Sequence, residues 1–141
     1  MQPNPDLMLE MIRDGAMISQ QTDDKFYVDF VRGCGEEGLR KIVEILQTQV
    51  DETDESIARY GAELIIRSQL PGRVGAILEV LRLPFRTSKD EVLEAILDQV
   101  VGDPEFLGDA EFIAEARRIE TRYSWVEKSI AIFLGNSGDN S

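Results

Sequence analysis

The stretch DAEFIAEARRIETRYSWVEKSIAIFL, residues 109–134, decides the fold class of this chain. Its large apolar residues are spaced alternately by four and three positions, which is the heptad spacing of a helix that packs along one side. A β-strand would alternate at every second residue, and this stretch does not. We therefore predict one long C-terminal helix whose apolar seam is covered by other helices or by a second copy of the chain. The seam consists of Phe112, Ala116, Ile119, Tyr123, Val126, Ile130 and Phe133.

Shorter stretches with helical spacing precede this one. Residues 73–83 lie between two prolines and are strongly apolar at every third or fourth position, which is typical of a central core helix. Residues 88–91 read Ser-Lys-Asp-Glu, the capping-box pattern of a helix start. We predict an all-α fold, a single-domain irregular bundle of six or seven helices over residues 1–134. Residues 135–141 are mostly Gly, Asn and Ser, and we expect them to form a disordered C-terminal tail.

Composition and charge limit the function classes. The chain has 141 residues, 43% hydrophobic and 30% charged, which is the balance of one globular domain. No uncharged apolar run approaches the roughly 20 residues that a membrane helix needs, so we expect a cytoplasmic protein. A net charge of −12 argues against nucleic acid and anionic membranes as partners. The same charge favours a protein partner, and a basic one in particular, through electrostatic steering.

Histidine is absent from the chain, which carries one cysteine, Cys34. The absence excludes Ser-His-Asp and Cys-His catalysis within one chain, and also histidine-bearing zinc sites. Gly33, Gly35 and Gly38 form a G-x-G-x-x-G pattern of the kind found in dinucleotide-binding loops. Two glutamates would occupy the place of the pyrophosphate, and no further strand pattern follows. We therefore predict a glycine-rich connection between two helices, no cofactor, and a buried thiol.

Clustered carboxylates give the alternative function. Glu52 and Glu55 have E-x-x-E spacing. Glu91, Glu94 and Asp98 lie on one side of the helix that is predicted to start at residues 88–91. The spacing is similar to that of all-helical nucleotide phosphohydrolases, which hold Mg²⁺ with carboxylates from two helices. The alternative function is therefore that of a magnesium-dependent nucleotide phosphohydrolase, whose metal ligands would be Glu52, Glu55, Glu91, Glu94 and Asp98. On the leading hypothesis, which is given below, these acids form a solvated face and bind no metal.

A local block of basic residues stands out in this acidic chain. Between residues 65 and 89 only Glu79 opposes it. Such a block either pairs internally with the acidic helices or binds an anion or an acidic peptide. The candidate anion-binding residues are Arg67, Arg73, Arg82, Arg86 and Lys89.

The C-terminal stretch also supplies the leading hypothesis. Trp125 and Ile132 lie off the main seam, so the apolar side of this helix is broad enough to be covered from two directions. We expect a non-enzymatic protein-interaction or regulatory protein, of the adaptor, inhibitor or immunity kind. It would act through its acidic surface and this apolar helix face, with self-association into a homo-oligomer left open. The expected anchors are Tyr123, Trp125, Ile132 and Phe133, because aromatic residues dominate interface energies.

Overall fold

The computed structural model describes residues 5–18, 24–52, 55–86 and 89–138, and within those ranges it contains nine α-helices and no strand. The prediction of an all-α fold is confirmed, with nine described helices instead of the six or seven expected. The helices are α1 (Pro5–Ile18), α2 (Lys25–Cys34), α3 (Glu36–Gln47), α4 (Ser56–Arg67), α5 (Arg73–Arg82), α6 (Lys89–Val100), α7 (Pro104–Leu107), α8 (Ala110–Arg118) and α9 (Ser124–Ser137).

The stretch 109–134 forms two helices, α8 and α9, so the prediction of one continuous helix is wrong. Ile119 has an extended backbone with φ −78° and ψ 119°, and Tyr123 is also extended. Between them the Thr121 hydroxyl donates to Asp90 Oδ2 at 2.6 Å and accepts a bond from the Tyr123 amide at 3.1 Å. The connection therefore replaces helical hydrogen bonds with bonds that anchor it to the start of α6.

The predicted seam is nevertheless the inner side of both helices. Phe112 and Phe133 are fully buried, and their rings meet edge to face with centroids 5.3 Å apart. Phe106 of the short helix α7 packs on Phe112 in the same way, at 5.0 Å. The heptad spacing survives the bend because each half presents its own apolar side to the same core.

Helix α6 runs beside α9 in the same direction. The start of α6 is tied to the connection that precedes α9, and the Asn136 side chain near the end of α9 donates to the Val101 carbonyl at 3.0 Å. Helix α9 continues to Ser137, so residues 135–137, predicted as part of the tail, are helical. Residues 139–141 of that tail, and Ser88 of the predicted capping box, lie outside the described residues.

Helix α4 packs against five other helices, α1, α2, α3, α5 and α6, and is more central than α5, which the apolar spacing of residues 73–83 predicts as the central core helix. Ile77, Val80 and Leu81 are buried, and α5 packs against both α3 and α4. Gly35, at φ 67°, makes the tight connection between α2 and α3, so the glycine motif is a link between two helices. Cys34 is buried beside it, and burial raises the pKa of its thiol.

Candidate functional site

One side of α9 remains uncovered in the folded chain. Trp125 is 52% exposed and Ile132 is 47% exposed, whereas Val126 and Phe133 are fully buried. The two exposed residues are seven positions apart, so they lie almost directly above one another on the helix. We refer to Trp125 and Ile132 as the α9 face. Phe133 lies in the core instead, because the seam position that the sequence gives it faces inward, so this predicted anchor is not part of the α9 face.

Tyr123 extends the α9 face toward the start of the helix. Its ring stacks on Trp125 with a centroid distance of 4.4 Å and an interplanar angle of 21°. The Arg122 guanidinium carbon lies 5.2 Å from the Tyr123 ring centroid, and Nη2 donates to the Tyr123 hydroxyl at 3.2 Å. This hydrogen bond raises the pKa of Arg122. The stack holds the Trp125 indole in one place, which reduces the entropy that a partner would have to remove on binding.

Three of the five predicted anion-binding residues are occupied by carboxylates of the chain itself. Arg67 donates through both terminal nitrogens to Asp24, at 2.6 and 2.8 Å. Arg73 is buried and donates to Asp103 at 2.6 Å and to Glu105 at 2.9 Å. Arg82 donates to the buried carboxylate of Glu115 at 3.0 Å. These three arginines join distant parts of the chain, which is the internal pairing that the sequence offers as one of two alternatives; binding of an external anion by them stays a prediction.

The other two, Arg86 and Lys89, line a cleft of about 820 Å³. The cleft lies between the end of the α5–α6 connection and the bend between α8 and α9. Arg118, Arg122 and Tyr123 form part of its opposite wall. Sequence reasoning missed Arg118 and Arg122 because they are about thirty positions further along the chain. The hydrogen bond between Thr121 and Asp90 and the packing of α6 against α9 bring the two segments together.

Some of the five predicted metal ligands lie near one another in the structure, but the five do not form one cluster. Glu55 and Glu91 interact electrostatically, and the pKa of Glu91 is raised, first by burial and then by the charge of Glu55. Burial and the charge of Asp98 raise the pKa of Glu94. Glu52 is exposed at the edge of a described range. Within the described ranges, no three acidic, histidine or cysteine residues lie close enough together to hold a metal ion.

A second apolar patch, which the sequence did not predict, lies between α1 and α2. Phe26 is 74% exposed and Leu7 is 50% exposed at a small cavity of about 190 Å³. Glu10 and Asp14 of α1 also line that cavity. The helical spacing of α2 placed Phe26 on the apolar side of the helix, but the core begins at Val28. Phe26 therefore provides an exposed aromatic residue with which Trp125 can be compared.

No protein-family model, no curated protein and no solved structure matches this chain. None of the nine helices in the described ranges is both long enough and apolar enough to cross a membrane.

Proposed function

We propose that this protein is a non-enzymatic protein-interaction or regulatory protein, of the adaptor, inhibitor or immunity kind, and that it binds its partner through the α9 face. The observation that carries the proposal is the half-exposed pair Trp125 and Ile132 on a helix whose opposite side is core. Large apolar residues that remain exposed together on one face are typical of interaction surfaces. Tryptophan is enriched among the residues that contribute most to binding.

Charge and composition support the rest of the proposal. The net charge of −12 favours a basic protein partner in the cytoplasm and disfavours nucleic acid and membranes. A second copy of this chain is the alternative occupant of the α9 face. The phosphohydrolase alternative has one observation in its favour, the contact between Glu55 and Glu91, and its metal test is given in the Discussion.

Intrinsic fluorescence distinguishes a partner from a second copy. Trp125 is the single tryptophan of the chain and lies within the α9 face, so its emission reports directly on coverage of that face. If copies of the chain pair through this face, the emission maximum shifts to the blue and quenching by acrylamide falls as the concentration rises from 1 to 100 µM, roughly the range of weak dimers. Unchanged emission over this range, with a monomer mass by light scattering, contradicts the homo-oligomer.

Partner binding is tested by comparing variants of the full chain. The double variant Trp125→Ala/Ile132→Ala removes the α9 face, and Phe26→Ala is the matched control that removes an exposed aromatic residue elsewhere. We expect proteins that the wild type captures from the native host to be captured by the control and lost by the double variant. Circular dichroism verifies that all three chains are folded. Equal capture by the double variant and the wild type contradicts the proposal.

A further inference from the structure

The cleft beside the α9 face contains three cations that form no ion pair within the described ranges, Arg86, Lys89 and Arg122. Arg122 donates to the Tyr123 hydroxyl, and the charge of Asp90 acts on it from a longer distance. All three side chains line the same cleft of about 820 Å³. Arg118, on the same wall, lies 3.5 Å from Glu115 and is partly neutralised.

This arrangement is unusual for the chain, which has 27 acidic residues for 15 basic ones. With such an excess of carboxylates, most of the described cations outside the cleft have a carboxylate partner within the chain. Arg13 of α1 and Lys128 of α9 also form no ion pair with a described residue, but they lie at separate exposed positions. The described cations outside the cleft with a carboxylate partner include Lys25, Arg32, Arg40, Lys41, Arg59, Arg67, Arg73 and Arg82.

The carboxylates of the cleft are largely engaged by other groups. Asp90 accepts the hydroxyl of Thr121 at 2.6 Å. Glu115 is buried and accepts Arg82 at 3.0 Å. Burial and the charge of Glu55 raise the pKa of Glu91, which disfavours its charged form. Glu120 is exposed on the bend and is the exception. The donors of Arg86, Lys89 and Arg122 are therefore left for a ligand.

The cleft and the α9 face form one continuous surface. Tyr123 lines the cleft with Arg122, and its ring stacks on Trp125 at a centroid distance of 4.4 Å. A chain segment that covered the α9 face and continued past the start of the helix would reach the cleft. The charge that this segment should carry is set by the cations of the cleft and not by the net charge of the chain, because charges more than about 8 Å away are largely screened at physiological salt.

We propose that the cleft binds the carboxylates of an acidic segment in the protein partner, at the end of the segment that covers the α9 face. This inference rests on the proposed function and specifies the chemistry of the partner. Arg86 and Arg122 present planar guanidinium forks that bind carboxylates in two-point contacts, and Lys89 adds a point charge. The overall acidity of the chain repels polyanions, so an acidic segment binds only where these cations are concentrated.

The test uses a probe that does not require the partner. The peptide N-acetyl-tetraglutamate amide is titrated into ¹⁵N-labelled full-length protein, and the lysine peptide of the same length and inorganic phosphate are titrated in parallel. We expect saturable shifts of backbone amides at residues 86, 89–91 and 118–123 with the glutamate peptide alone. Arg86→Gln/Lys89→Gln should weaken this binding about tenfold, since it removes two of the charge-assisted donors. Arg13→Gln/Lys128→Gln, which changes the net charge equally outside the cleft, should leave the binding unchanged.

Three outcomes would overturn the inference: no saturable shift at the cleft, equal binding of phosphate or the lysine peptide, or equal weakening by the control variant. The variants also separate this inference from the proposed function. If the glutamate peptide binds the cleft but Trp125→Ala/Ile132→Ala captures partners normally, the proposed function fails and the cleft site stands. If the double variant loses its partners and the cleft binds no peptide, the proposed function stands and this inference fails.

Discussion

The Tyr60 hydroxyl on α4 donates a hydrogen bond to Asp24 Oδ2 at 2.6 Å, and both groups are buried. Asp24 immediately precedes α2, so this bond joins two helices that are far apart in sequence. Hydrogen bonds from Arg67 lower the pKa of Asp24 below its ordinary value of 3.8, although burial of the carboxyl opposes them. Burial and the hydrogen bond to Asp24 together raise the pKa of Tyr60. The Asp24 carboxylate is therefore a stabilising group at neutral pH.

Replacing Asp24 with asparagine should lower the free energy of unfolding by about 2 to 3 kcal/mol at pH 7, because it weakens charge-assisted bonds to Arg67 at a buried site. The folded pKa of Asp24 is lower than the unfolded pKa, so its contribution is complete above the unfolded value and is lost as pH falls through the folded value. The difference between wild type and variant should therefore shrink from pH 7 to pH 3. Urea denaturation at both pH values measures it, and a difference that grows on acidification contradicts the account.

Gly15 lies against the Tyr60 ring so closely that a Cβ atom at this position would overlap the ring. The ring cannot move aside without breaking the bond between Tyr60 and Asp24. Gly15→Ala should therefore destabilise the protein by about 1 to 3 kcal/mol, despite the higher helix propensity of alanine. Gly75→Ala is the matched control, since its Cβ would meet nothing within 4 Å. We expect the control to be stabilised by about 0.5 to 1 kcal/mol, and thermal unfolding of both variants measures the contrast.

Helix spacing in the sequence predicts which residues form the core but not where the C-terminal helix bends. The heptad spacing passes without interruption through Ile119 and Tyr123, so no local signal marks the break. The bend depends on the bond from Thr121 to Asp90, which lies 31 positions earlier. Such a contact exists only after α6 and α9 pack, and residue spacing within one segment carries no information about it.

The sequence also predicts the candidate site only in part. The off-seam positions of Trp125 and Ile132 predict an uncovered side of α9, and both residues are indeed half exposed. The five basic residues look alike in sequence, and only tertiary pairing separates Arg73, which is buried between carboxylates, from Arg86, which faces the cleft. Arg122 lines the same cleft as Arg86 because the bend between α8 and α9 places it there. Charge pairing over thirty positions is therefore beyond what local spacing predicts.

Arg73 and Arg86 should respond differently to the same substitution. Arg73 donates to Asp103, Glu105 and the Ile66 carbonyl from a buried position, so Arg73→Ala leaves these acceptors without their donor. We expect a loss of about 3 kcal/mol in the free energy of unfolding. Arg86→Ala should change stability by less than about 0.5 kcal/mol. Chemical denaturation of the two variants measures both values, and a comparable loss for Arg86 would show that it has a structural partner.

Glu91→Gln should stabilise the protein at neutral pH. Burial and the neighbouring Glu55 raise the folded pKa of Glu91 above the ordinary value of 4.5, so the wild type loses stability as pH rises through this window. Glutamine carries no charge and can donate to Glu55. The melting temperature of the variant should exceed that of the wild type at pH 7, and the gap should close near pH 4. A variant that melts lower than the wild type at pH 7 contradicts the assigned repulsion.

Magnesium titration separates the interaction protein from the hydrolase alternative. If Glu55, Glu91, Glu94 and Asp98 held Mg²⁺, millimolar metal would raise the melting temperature by binding only the folded state, and Glu91→Gln would abolish the effect. The described carboxylates do not come together in threes, so we expect no shift beyond that of sodium chloride at matched ionic strength. A saturable, magnesium-specific rise that Glu91→Gln removes would favour the hydrolase, because a divalent cation would bridge the two repelling carboxylates of Glu55 and Glu91.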